Sequence, residues 1–97
     1  MNAIICDAIA GRVLLEFYHD GGTRLVEPYV HGQNHAGNDV LRAYQVSGYS
    51  SSGESEGWKI FRLDRMSALQ PQDEIFHQDR ALYNPDDRDM ATIYCRA

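Results

Sequence analysis

Gly57-Trp58-Lys59-Ile60-Phe61-Arg62-Leu63-Asp64-Arg65-Met66-Ser67-Ala68-Leu69 decides the fold. It reads as one short strand running straight into a tight turn. Phe61 and Leu63 share one side of the extended part, and Ile60 and Arg62 share the other, because strand side chains alternate. Asp64 then offers a side-chain acceptor to the first N–H groups of a single helical or 3₁₀ turn through Arg65-Met66-Ser67. Three cations, Lys59, Arg62 and Arg65, fall within seven residues on an apolar anchor. A basic cluster on a rigid element suits an anion. The commoner fate of such charges is a solvated face or surface ion pairs worth about 0–1 kcal/mol.

Outward from this stretch, the preceding chain is punctuated by turns. Residues 2–10 carry Ile4, Ile5, Ala8 and Ile9 at helical spacing, with Asn2 as an N-cap and Gly11 as a stop. Arg12 to Tyr18 switches to period two, with Val13, Leu15 and Phe17 facing one way. Asp20-Gly21-Gly22 is a hairpin turn signal, and Thr23 to Val30 forms the partner strand. Pro28 demotes the end of that strand to an edge or bulge. His31 to Asn38 holds two Gly, two Asn and two His and reads as a turn or broad loop. Asp39 to Val46 is a third strand, and Ser47 to Gly57, with eight Gly or Ser in eleven residues, is a hairpin tip. Ala68-Leu69 begins a fifth strand before Pro71. Beyond it, Asp79 to Tyr83 reads as one helical turn and Ala91 to Tyr94 as a last strand. A helix followed by four to six short strands predicts a mainly β domain, a small barrel that closes its own edges.

The chain has 97 residues, which makes one domain. Its net charge of −5 argues against unspecific attachment to a nucleic-acid backbone. Residues 1–69 carry six cations against eight anions, and residues 70–97 carry three against six, so a local basic patch fits only on the first part. No apolar run approaches membrane-spanning length, and no signal pattern opens the chain. The reading is a cytosolic protein with no membrane partner. Cys6 and Cys95 lie near opposite ends. A disulfide clasping the termini is one option, but a cytosolic setting favours two reduced, partly buried thiols.

The order of features resembles the WYL-domain family over about residues 4–69. An apolar helix precedes a strand ending in Phe17-Tyr18. Arg24-Leu25-Val26-Glu27-Pro28 follows, then Leu41-Arg42-Ala43-Tyr44, and last Phe61-Arg62-Leu63-Asp64-Arg65-Met66. The resemblance implies an Sm-like or SH3-like β-barrel of bacterial or phage type. It also implies a ligand-sensing role in transcription or defence regulation, with a nucleotide or single-stranded nucleic acid as ligand. The family's Trp-Tyr-Leu triplet maps onto Asp39-Val40-Leu41, and Lys59 stands where the family has arginine. No helix-turn-helix part is expected here, so regulation would run through a partner protein or a homo-oligomer.

The resemblance makes Arg24, Arg42, Lys59, Arg62 and Arg65 the candidate ligand-binding cations. Phosphates take guanidinium forks and exposed bases take aromatic faces, for which Tyr18, Tyr44 and Trp58 are available. The plainer alternative pairs Arg62 and Arg65 with Glu16, Glu27 or Asp64 and leaves them holding the barrel. His31 and His35 have metal-ligand spacing only on a helix, and Gly32 and Asn34 argue for a loop, so neither a metal nor a cofactor is expected. The serines Ser50-Ser51-Ser52 lack a strained elbow, and no phosphate loop is present, so catalysis is not expected. The rival class is an interaction or oligomerisation module with no nucleic-acid ligand. The acidic tail, residues 72–97, packs across the barrel as an extra strand or else covers the basic surface in competition with an anion.

Overall fold

The computed structural model describes all residues, Met1–Ala97. The order is α1 (Ala3–Gly11), β1 (Val13–His19), β2 (Gly22–Asn34), β3 (Asp39–Gly48), β4 (Gly57–Arg62), a 3₁₀ turn (Leu63–Arg65), β5 (Met66–Ile75) and β6 (Met90–Arg96). The mainly β expectation with a short N-terminal helix is met. Asn2 caps α1 through its side chain, which accepts from the Ile5 N–H.

All six strands form one antiparallel sheet in the order β4-β3-β2-β1-β5. β2 is long enough to take two partners along one edge. Leu25 and Val26 lie in the half that pairs β1, while Val30 to Asn34 pair β6. β4 and β5 therefore sit at opposite ends of the ladder, yet only Leu63–Arg65 separates them in the chain. The sheet must curl to bring those ends together. It is not closed, because no ladder joins β4 to β5.

Alternation along the strands builds two cores. Ile5 and Ile9 from α1 pack with Leu15, Phe17, Val26, Leu41 and Phe61 on the inner face. Each such aliphatic burial stabilises by roughly 1.5–3 kcal/mol. The outer face carries Leu14, Tyr29, Val30 and Val40, covered by Phe76 and Met90 from the tail. Tyr29 is fully buried among the rings of Trp58, Phe76 and Tyr83, at centroid distances of 4.8, 5.3 and 4.9 Å.

Four local expectations need correction. Residues 31–34 are strand rather than loop, because β6 supplies a second partner that no local pattern announces. β5 runs through Pro71 to Ile75, which an edge position allows since the missing N–H costs no ladder bond. Asp64 lies inside the 3₁₀ turn and does not cap it; its carboxylate is taken by Arg62 instead. Residues 79–83 form no helix, and the segment is held by side chains.

Cys6 and Cys95 form a disulfide across 89 residues of sequence, which corrects the expectation of reduced thiols. Sequence position said nothing of β6 lying beside α1, and that adjacency brings the two Cα atoms to 5.7 Å. No helix is long and apolar enough to cross a membrane.

Gly32 sits where β6 crosses β2. A Cβ built there would meet the Thr92 carbonyl oxygen at 2.1 Å, a backbone atom with no rotamer to yield. Gly32→Ala is expected to push β6 away and cost about 2–3 kcal/mol. A shift of the urea midpoint would register this, and an unchanged midpoint would refute it.

Candidate functional site

The seven candidate residues divide between the two faces of the sheet. Arg42, Tyr44 and Arg62 lie outward with Trp58, since Arg42 pairs Ile60 and Tyr44 pairs Trp58 in register. Lys59 shares the inner side with Phe61, as does Arg24 with Val26. Tyr18 is half exposed on β1, next to β5. A single convergent dish is therefore absent, because alternation separates residues that sequence order places together.

Their charges are also largely engaged. Arg42 donates from Nε to Asp87 at 2.7 Å and from Nη2 to Asp89. Arg62 grips Asp64 with Nε at 3.1 Å and Nη2 at 2.6 Å, and it reaches Asn38. That contact holds the Asp64 carboxyl below its usual range, chiefly through the hydrogen bond from Arg62. Arg65 lies 3.5 Å from Asp20. Arg24 is buried without a carboxylate and donates to the carbonyls of His19 and Asp20 and to Gln45. There it pins the β1–β2 turn, with its guanidinium over the rings of Tyr49 and Phe61. Lys59 donates to Ser50 and has no carboxylate partner.

The tail supplies the extra strand foreseen for it. β6 adds a strand, and the connection before it crosses the outer face. Arg80 meets the buried carboxylate of Glu27 with two N–H groups at 2.9 Å and lies 4.4 Å from the Tyr44 ring centroid. The Tyr29 hydroxyl donates to Glu27 and accepts from the Arg80 N–H. Burial is the main reason that its pKa is pushed up to about 12. Trp58 donates from Nε1 to the Ala81 carbonyl. A cleft of about 400 Å³ remains between this segment and β4, lined by Arg42, Trp58, Leu82, Asp87 and Arg88 among others. Leu82 is 90% exposed and has a φ of 71°, an uncommon setting for a bulky apolar residue. Arg88 is exposed and meets no carboxylate.

Neither a family model nor a curated protein nor a solved structure matches this chain.

Two residues outside the candidate set carry much of the polar interior. Arg80 was invisible because its partner Glu27 lies 53 residues away. His31 looked like a loop residue but is fully buried. Its Nε2 accepts the Asn2 N–H at 3.1 Å, so Nδ1 must carry the proton that Val40 accepts at 2.8 Å. The imidazole is thus satisfied only when neutral. Burial lowers its pKa below 6.5, with the Val40 hydrogen bond opposing. His19 is shifted the same way by burial, with Asp20 opposing.

The unfolded chain therefore takes up these protons before the folded one does. The stabilisation is complete above pH 6.5 and is lost as pH falls towards the depressed folded-state values. The urea midpoint is expected to be lower at about pH 5 than at about pH 7.5. A midpoint that holds or rises on acidification would exclude this role.

Proposed function

We propose that this chain is a protein-interaction module that works by strand addition at the free edges of its sheet. The observation that carries the reading is β5. It has ten residues, pairs only with β1, and has no buried residue. An unpaired strand edge offers rows of backbone donors and acceptors to another extended chain. The same reading takes the fold as a partly open member of the Sm/SH3-like class, with the 3₁₀ turn as the joint between the β4 and β5 edges.

A proline at an exposed position of β5, as in Asp73→Pro, removes a donor without touching a core residue. The wild-type chain is expected to gain exchange protection along β5 when its partner binds, and the proline variant to lose that binding. Binding with β5 amides still freely exchanging would overturn the reading.

A second reading keeps the WYL-like assignment, with a nucleotide or single-stranded nucleic acid as ligand. It is favoured by the cleft that Trp58 lines together with Arg42 and the unpaired Arg88. Asp87 and Asp89 already occupy Arg42, so an anionic ligand must compete with them. Short labelled oligonucleotides should then bind at low salt and weaken as salt rises. Arg88→Ala should weaken that binding while leaving the fold intact, whereas no binding at low salt would remove this reading. Catalysis forms no part of either reading. The disulfide fits an oxidising compartment better than the cytosol.

A further inference from the structure

We infer that the partner of the free β4 edge is the β5 edge of a second copy of this chain, segment Gln72–Ile75. This rests on the strand-addition reading above and names its occupant.

Charge carries the choice. β4 holds Lys59 and Arg62 and no acid, while β5 holds Asp73 and Glu74 and no base. Lys59 and Arg62 are three residues apart and therefore point to opposite faces of β4. Asp73 and Glu74 are both exposed and lie where β5 is irregular, between Pro71 opposite Leu15 and Ile75 opposite Val13. The β4 edge thus carries the cations and the β5 edge the carboxylates. Like edges would instead set like charges opposite one another, which is unfavourable.

Three of these four groups are free to act, Arg62 being held by Asp64. Asp73 and Glu74 are exposed and make neither a hydrogen bond nor an ion pair within the chain, and Lys59 meets only a serine hydroxyl. Arg62 is shared with Asp64 at the solvent-facing end of β4. Both edges also carry an exposed isoleucine, Ile60 at 40% and Ile75 at 52%. Pro71 has no N–H to give, which limits the pairing segment to the residues after it. The contact joins two different patches, so it is head-to-tail and builds a ring or a filament according to its rotation.

Sedimentation velocity over a wide concentration range tests the assignment. Wild type is expected to associate. Lys59→Glu in one variant, and Asp73→Lys with Glu74→Lys in another, should each weaken association by roughly tenfold or more. Circular dichroism checks that these exposed substitutions leave the fold intact. Mixing the two variants should restore association with the two copies alternating, because one copy's reversed β4 then meets the other's reversed β5. Association that ignores either reversal, or a mixture that stays monomeric, would overturn the pairing while leaving strand addition to another protein standing. A wild-type chain that is monomeric throughout would also overturn it, and the exchange experiment above would then decide strand addition separately.

Discussion

Replacing both Cys6 and Cys95 by serine is expected to lower the unfolding free energy by about 4–5 kcal/mol. The bond spans 89 residues, so in its absence the unfolded chain regains nearly the full entropy of an open loop. For a domain of this size the loss corresponds to a fall in Tm of roughly 20–30 °C. Native packing should change little, because the two residues hold together elements already joined by other contacts. α1 still buries Ile5 and Ile9, and β6 still pairs β2 at Val30 to Asn34. Calorimetry under oxidising and reducing conditions would measure the difference. Equal Tm values in the two states would exclude a stabilising clasp.

Removing residues 76–97 is expected to abolish folding altogether. The deletion takes away Phe76 and Met90 from the outer core, Tyr83 from beside Tyr29 and Trp58, and the whole of β6. It also strips Arg80 from Glu27, which is 5% exposed. Glu27 thereby loses both its cation and the residues 76–81 that line it. With the lost apolar burial and the lost disulfide, the total exceeds the roughly 5–15 kcal/mol that holds a domain together. A dispersed amide NMR spectrum from the truncated chain would refute this. The acidic tail therefore cannot be studied as a detachable cover. A finer probe is Tyr29→Ala, expected to cost about 3–5 kcal/mol as a buried aromatic truncation.

Much of the architecture was legible because its signals are local. The helix over residues 2–10, the Asp20-Gly21-Gly22 turn and the Gly/Ser tip each announce themselves within a few residues. The strand at residues 57–62 running into a tight turn was read correctly, although the turn begins at Leu63. What escaped was set by distant partners. Residues 31–34 became strand because β6 arrives from the far end of the chain. The closed barrel expected from strand count is instead a curled sheet in which β4, β5 and β6 are each paired on one side only.

The candidate site was less legible for the same reason. Arg42 carries a motif-like neighbourhood, yet its charge is claimed by Asp87 and Asp89 from 45 and 47 residues away. Lys59 and Arg62 look adjacent in sequence, but strand alternation sends them to opposite faces. The expectation that Arg62 pairs with Asp64 held, because that contact spans two residues. Glu27 was named as a partner for Arg62 or Arg65 and serves Arg80 instead.

Both chain ends dock on β2. The Asn2 N–H reaches His31, and the Ala97 N–H reaches the Tyr29 carbonyl. With Cys6 and Cys95 bonded as well, both ends of the chain are held to the same part of β2, at His31 and Tyr29. The polypeptide can accordingly be relinked there by a short spacer and reopened within Ser51–Glu56, an exposed stretch outside every strand. Such a circular permutant would keep both cores while moving its free termini to the opposite hairpin, a convenient place to attach a reporter.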